Sequence, residues 1–305
     1  MRNNSLSPIA LFTYNRIDHL KLTISNLKNN DLARLSELII FSDGAKTYED
    51  INKVLKIRNY LKQIKGFKKI IIVKRYKNFG LSHNIINGVT SVLKKYKKII
   101  VLEDDLLVNK HFLRYMNKGL NLYRKDKNVA SIHGYIYPIS NMKNEINTNT
   151  FFIKGADCWG WGTWSRAWSN FNKDGKILIK FLEKKNLVKN FNFNNSYNYY
   201  QMLKDQVNRK NNSWAIRWYA SCFLKNMYTL YPVVSFVKNI GIDNSGQNSK
   251  FDLLNIGNKK LIKTHYEIIK QPVVESVLAR TLIENFFKKK KFFMFKNILK
   301  KILNV

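Results

Sequence analysis

With 305 residues, 45% of them hydrophobic, the chain carries ample apolar mass for a folded core, and wholesale disorder is excluded. Lys and Arg number 54 against 20 Asp and Glu, a formal charge of +34 whose field draws phosphates, anionic lipid or polyanions without choosing among them. Two cysteines, Cys158 and Cys222, are too few for a disulfide scaffold or a zinc site and are expected to be reduced core residues.

The opening stretch MRNNSLSPIALFTYNR has only residues 9–12 as an apolar run, shorter than a signal-peptide core. No later stretch reaches about 18 uninterrupted apolar residues, so a cytoplasmic protein that does not cross a bilayer is expected. Residues 8–135 alternate short apolar runs with helical patterns. PIALFTYNR predicts a first strand, followed by a helix with Leu20, Ile24 and Leu27 on one face. ELIIFSDGA predicts a second strand and residues 48–64 a second helix. KKIIIVKR, LSHNIINGVTSVLKKY and KKIIVLEDD predict a third strand, a third helix and a fourth strand. Such a series is α/β, a mostly parallel central sheet covered by helices on both faces, and ligands of such sheets sit beyond the carboxyl ends of the strands. Thr13, Asn15 and Arg16 follow the first strand, Asp43 and Gly44 the second, and Glu103, Asp104 and Asp105 the fourth, so one crevice can gather them all.

Three consecutive carboxylates in a chain this poor in acid repel one another unless a positive charge sits among them, and a divalent cation is the natural occupant. Mg2+ or Mn2+ takes one or two carboxylates and leaves its other positions to water and phosphates. In an extended strand end residues 103 and 105 point one way and 104 the other, so the duties can divide. Neither the Gly-rich Walker loop nor the dinucleotide fingerprint is present, which leaves phosphate binding to the metal and the fork of Arg16.

From Ala130 the rhythm changes. VASIHGYIYP and TFFIKG read as short strands, and ADCWGWGTWSRAWSNF places Trp159, Trp161, Trp164 and Trp168 within ten residues. Residues 176–210 predict a polar helical insertion, NSWAIRWYASCFLKN an amphipathic helix ending near Asn226, and YTLYPVVSFVKNIGIDNSGQNS a strand leading to a Gly- and Asn-rich loop. From residue 281 onward there are seven lysines and one glutamate. Phe292, Phe295, Leu299, Ile302 and Leu303 can share a face bordered by Lys296, Lys300 and Lys301, the pattern of a helix lying in anionic headgroups. A catalytic domain over 1–260, divided near residue 135, and a basic membrane-associating segment over 261–305 are expected.

The ordered set FTYNR, FSDGA, NFGLSHNIINGV, VLEDDL, WGWGTW and NIGIDNSG resembles the GT-A-fold glycosyltransferases over roughly residues 7–250. More narrowly it is similar to bacterial sugar transferases related to the N-acetylglucosaminyltransferase I type. The resemblance implies a Rossmann-like GT-A sheet, Asp105 as the carboxylate coordinating Mn2+ or Mg2+, Asp104 and Glu103 at the nucleotide-sugar, Arg16 at the diphosphate and Asp43 at the base or ribose. Thr13, Asn15, Gly44 and Ser82 complete that nucleotide-sugar set. Trp159, Trp161, Trp214 and Asp243 fall on the acceptor side, where flat indole faces can receive a pyranose.

Inverting transfer, which the resemblance implies, needs a carboxylate opposite the leaving diphosphate to deprotonate the acceptor. Family members often carry Asp directly after the tryptophan of SWAIRW, where this chain has Ala215; Asp205 is the first replacement, with Asp157 and Asp243 behind it. The expected reaction moves a sugar from a nucleotide donor, UDP-linked, to a lipid-linked glycan of lipopolysaccharide or capsule at the inner face of a bacterial membrane. Two rivals compete: a nucleic-acid-binding module, against which the acidic triplet and the lack of any named motif argue, and an idle GT-A scaffold, which Ala215 permits.

Overall fold

The computed structural model describes residues 5–243 and 267–293 with their side chains and continues the last helix to Ile302. The first half is the expected series: β1 (Ile9–Thr13), α1 (Ile17–Lys28), β2 (Glu37–Ser42), α2 (Tyr48–Leu61), β3 (Lys69–Lys74), α3 (Gly80–Tyr96) and β4 (Lys98–Glu103). All five residues of β1 are buried, as strands covered on both faces must be. Helix α3 presents Ile85, Val89, Val92 and Leu93 to the sheet and ends on Lys97 at φ 65°, a left-handed stop.

Beyond β4 come β5 (Leu106–Val108), α4 (Phe112–Leu122), β6 (Val129–His133), α5 (Met142–Glu145), β7 (Thr150–Lys154), β8 (Trp161–Trp164), α6 (Ser165–Trp168), α7 (Gly175–Lys184), α8 (Val188–Phe191), α9 (Tyr199–Val207), α10 (Trp214–Leu224), β9 (Tyr228–Pro232), β10 (Val237–Asn239) and α11 (Val277–Ile302). One eight-stranded sheet runs β3-β2-β1-β4-β8-β6-β9-β7, and β10 pairs with β5 in a small second sheet. Strands β1 to β4 are mutually parallel, whereas β8 runs antiparallel to both β4 and β6.

Register decides where the polar ends fall. Phe12 of β1 pairs with both Phe41 and Glu103, and Thr13 pairs with Ser42, so β1, β2 and β4 finish on one edge. The WGWGTW segment, read as a tryptophan block, contains strand β8 in its last four residues. Its Trp161 stacks on Trp214 at 5.3 Å and, with Trp168 and Trp218, cements the sheet to α6 and α10. The polar insertion resolves into three short helices, α7 to α9. Cys222 is buried and Cys158 half-buried, both as free thiols.

Helix α11 packs on the same body through Ala279, Ile283 and Phe287, which join a second apolar cluster with Phe193 and Tyr219. Past Phe287 the pattern changes: Phe292 is 66% and Phe293 59% exposed, beside the run Lys288 to Lys291. The expected face of Phe295, Leu299, Ile302 and Leu303 lies outside the described side chains. Among the described residues no helix is long and apolar enough to cross a membrane.

Candidate active site

The carboxyl edge of β1, β2 and β4 brings together the residues expected there. Asp104, 4% exposed, receives Thr13 Oγ1 at 2.9 Å and the Tyr14 amide at 3.2 Å on Oδ2, and Arg16 Nη2 at 2.9 Å on Oδ1. The same Arg16 nitrogen reaches Asp105 Oδ2 at 2.6 Å. Thr23 donates to the Asp104 carbonyl at 2.8 Å, which fixes the turn between β4 and β5 against α1. Asp104 therefore positions the loop after β1, since both of its oxygens are engaged by the protein.

Charge at this edge is not balanced internally. Burial acts to discharge Arg16, but Asp104 and Asp105 more than offset it and its pKa ends up raised. Glu103 is pushed well above the usual carboxylate range by burial and then by Asp105 and Asp104; burial likewise raises Asp104 despite Arg16. Neither the Glu103 carboxylate nor Asp105 Oδ1 has a hydrogen-bond partner among the described residues.

Three acids against one guanidinium leave hard oxygen donors short of positive charge, the chemistry of a site for Mg2+ or Mn2+. Among the described residues no three acidic, His or Cys side chains converge as a ready-made cage. A cation held by one or two carboxylates and completed by substrate phosphates and water needs no such cage, so the donor set fits the ion. Asp105 and Glu103 are the residues that would hold it.

A loop seals the cluster from above. A Cβ built on Gly241 would lie 2.1 Å from Asp105 Oδ2 and 2.9 Å from Arg16 Nη1, so only glycine permits this approach, and the Ile240 amide donates to the Asp105 carbonyl at 2.9 Å. Asp243 is near in sequence but its carboxylate pairs with His19 Nε2 at 3.1 Å. The remainder of the NIGIDNSG stretch, from residue 244, lies outside the described residues.

The neighbouring strand end is equally ordered. Asp43 Oδ1 accepts the amides of Gly44 at 2.9 Å and Phe79 at 2.8 Å. The backbone of Lys77 approaches Gly44 so closely that a Cβ there would meet it at 2.4 Å. Asn15 donates to Asp50 at 2.8 Å, as does the Tyr14 phenol at 2.6 Å; these bonds, Tyr14 first, bring Asp50 down to about 2. Sequence reading missed Arg75. Its guanidinium lies over the Phe79 ring at 4.8 Å and the Phe41 ring at 5.2 Å, and its Nη2 is buried without a hydrogen-bond partner. The available signal was its place just past β3, on the edge where Asp43 follows β2.

Several expected site residues are corrected by their burial. Trp161 is fully buried among Trp168, Trp214 and Trp218, and Trp214 is 3% exposed and stacked on Trp161, so neither offers a face to a sugar. Ser82 is 3% exposed and its hydroxyl is taken by buried Arg217 at 2.7 Å, which locks α3 to α10 rather than facing a ligand. Asp205 sits on α9, a helix packed on α7 and α10, and its carboxylate is bonded by Gln201 at 2.9 Å, with no hydrogen bond to the acidic triplet among the described residues. Trp159 alone of the three is half-buried, with its amide on His133 Nε2 at 3.0 Å and its ring edge-on to Tyr135.

Among solved structures, the chain is similar to the mannosyltransferase PcManGT from Pyrobaculum calidifontis, determined in complex with GDP-Man and Mn2+. Identity is 16% and the TM-score 0.33, covering 45% of this chain and 38% of that one. It is also similar to residues 1–349 of S. aureus TarS, at 12% identity and TM-score 0.34, over 52% of this chain and 47% of that one. The chain thus spans less than half the length of either. No curated protein matches it. The model of Glycosyl transferase family 2 matches residues 9–182, more than half of the sequence and the whole of the acidic edge, and the chain belongs to that family of glycosyltransferases.

Proposed function

We propose that this glycosyltransferase is metal-dependent and moves a hexosyl or N-acetylhexosaminyl group from a UDP-sugar, with inversion, to a lipid-linked or polysaccharide acceptor of lipopolysaccharide or capsule. The narrower kinship with the N-acetylglucosaminyltransferase I type belongs to this reading. So does a peripheral place on the inner face of a bacterial inner membrane, which exposed Lys288, Lys289 and Lys291 and the exposed Phe292 and Phe293 rings support. The observation that carries the proposal is the cluster of Glu103, Asp104 and Asp105 at the end of β4, with Arg16 as the one cation bonded to it among the described residues.

Bound at Asp105 and Glu103, Mn2+ or Mg2+ would neutralise the departing diphosphate. Arg16, held charged by two aspartates, adds a fixed cation at the same place and steers a doubly anionic group to it. Asp43, Gly44 and Asn15 shape the wall on the β2 side, where a ribose or base would lie, and half-buried Trp159 stands on the acceptor side.

A thermal-shift panel of UDP-, GDP- and dTDP-sugars with and without Mn2+ tests the reading, because a ligand that binds only the folded chain raises its melting temperature. The expected result is a shift with one nucleotide class that requires Mn2+ and disappears in Asp105→Asn. Failure of every nucleotide-sugar to shift the wild-type protein in Mn2+ would sink it.

A further inference from the structure

Resting on the transfer reaction just proposed, we infer that Asp157 is the proton acceptor for the incoming hydroxyl, the role that Ala215 leaves open. Topology supplies the first argument. Strand β8 runs antiparallel to β4 with Trp161 opposite Val101, so the chain entering β8, residues 157–160, passes the carboxyl end of β4 alongside residues 102–105. The Cys158 thiol, pushed up first by burial and then by the charges of Asp157, Glu103 and Asp105, lies in the field of both groups.

The second argument compares the carboxylates gathered at this edge. Asp104 has both oxygens on Thr13, Tyr14 and Arg16; Asp43 accepts two amides on one oxygen; Asp243 is paired with His19. Asp157 gives Oδ1 to the Cys158 amide at 2.7 Å, whereas its Oδ2 has only the long approaches of Tyr231 at 3.4 Å and Tyr137 at 3.5 Å. Apart from Glu103 and Asp105, which the cation would occupy, that oxygen is open to a further partner, since it makes no hydrogen bond shorter than 3.4 Å among the described residues. No Lys or Arg pairs with Asp157 among the described residues, so its charge is not neutralised by a salt bridge.

The third argument is the chemistry of the surround. Tyr199 Oη lies 3.2 Å from Tyr137 Oη, and Tyr197 packs on Tyr199 with ring centroids 4.4 Å apart. Burial first, and Asp157 among the charges, hold the phenols of Tyr137, Tyr197, Tyr199 and Tyr231 protonated, and burial keeps His133 neutral. A carboxylate ringed by neutral hydroxyl donors and aromatic faces, with half-buried Trp159 two residues on, suits a polyhydroxylated acceptor such as a saccharide.

The step balances within the reactants. The acceptor O–H proton passes to Asp157 Oδ2, and the acceptor oxygen forms its bond to the anomeric carbon. The bond from that carbon to the diphosphate oxygen breaks, and its electron pair leaves with the nucleoside diphosphate.

Release of nucleoside diphosphate from the same panel of nucleotide-sugars in Mn2+, with water as the acceptor, provides the test. Asp157→Asn is expected to keep the donor-induced thermal shift of the wild type while release slows by about 10²- to 10⁴-fold, the range of a lost general base. Release within about threefold of wild type, with the thermal shift intact, would overturn the assignment and leave the donor reading standing. A wild-type protein that neither shifts nor releases with any donor overturns both. Should the Asn variant lose its own cooperative melt, Asp157→Ser is measured by the same two readouts and judged by the same outcomes.

Discussion

Arg16 Nη2 lies 2.6 Å from Asp105 Oδ2, a contact that joins the loop after β1 to the turn after β4. The guanidinium is largely buried, at 21% side-chain exposure, and it is the one cation bonded to the acidic triplet among the described residues. Removing it in Arg16→Met leaves Asp104, Asp105 and Glu103 without a counter-charge. The expected cost is about 2–4 kcal/mol, somewhat below a fully buried broken pair because the site keeps some solvent. Urea denaturation in EDTA measures it, and Mn2+ should recover more stability in the variant than it adds to wild type. A variant as stable as wild type without metal would mean that the acids are not held against repulsion by Arg16.

Glu103→Gln should act in the opposite direction. Its carboxyl is desolvated, repelled by Asp105 and Asp104 and without a hydrogen-bond partner, so an uncharged isostere relieves strain instead of breaking a bond. In EDTA the variant is expected to be about 1 kcal/mol more stable than wild type by the same denaturation assay, and to gain less from Mn2+. Destabilisation in EDTA would show that Glu103 has a structural partner after all.

Gly241 tests the geometry from the other side. Its Cβ would fall 2.1 Å from Asp105 Oδ2, and the nearest relief is rotation of the Asp105 side chain away from Arg16. Gly241→Ala is expected to weaken the Mn2+ response of the melting temperature by at least about tenfold in apparent affinity, since a ligand moved by 1 Å no longer meets the ion on the terms of its neighbours. An unchanged Mn2+ titration would place the ion elsewhere.

The edge that gathers Arg16, Asp43 and Asp105 is legible in the sequence because β1, β2 and β4 are short, wholly apolar and separated by helices. Such runs admit little besides a parallel sheet with both faces covered, and the parallel order then dictates that their polar successors share one end. The second half is legible only in part. WGWGTW alternates tryptophan with glycine and fits a loop as well as a strand; its insertion between β4 and β6 is settled by long-range pairing that no local pattern encodes. An indole also carries the same sequence signal whether it lies in a core or under a sugar, and burial alone takes Trp161 and Trp214 into the core while Trp159 stays half-buried. Asp157 and Asp205 are likewise equal as letters; only the crossing of β8 past β4 separates them.

The tryptophans divide experimentally along the same line. Trp161 is fully enclosed by Trp168, Trp214 and Trp218, so Trp161→Ala should cost about 3–5 kcal/mol through cavity formation. Trp159→Ala, at a half-buried ring, should cost about 1–2 kcal/mol by the same denaturation measurement. If the two losses were equal, the distinction between a fully enclosed indole and a half-buried one would fail.

Helix α11 gives the last prediction. Up to Phe287 it buries Ala279, Arg280, Ile283, Glu284 and Phe287 against the body; beyond it Lys288, Lys289, Lys291, Phe292 and Phe293 are exposed and Lys290 is half-buried. Four lysines near a negative bilayer surface contribute about 1 kcal/mol each, and inserted phenyl rings add apolar burial that salt does not screen. The protein is therefore expected to co-float with vesicles containing phosphatidylglycerol and not with pure phosphatidylcholine, with binding falling as salt rises. Replacing Lys288 to Lys291 by Gln should lower partitioning by about 10²-fold or more, because 1.4 kcal/mol is a factor of ten and four lysines exceed twice that. Replacing Phe292 and Phe293 by Ser should leave a residual association abolished by moderate salt, since the electrostatic part alone would remain. Equal flotation with neutral vesicles, or no effect of the lysine replacements, would separate α11 from any membrane role and return its lysines to simple solvation.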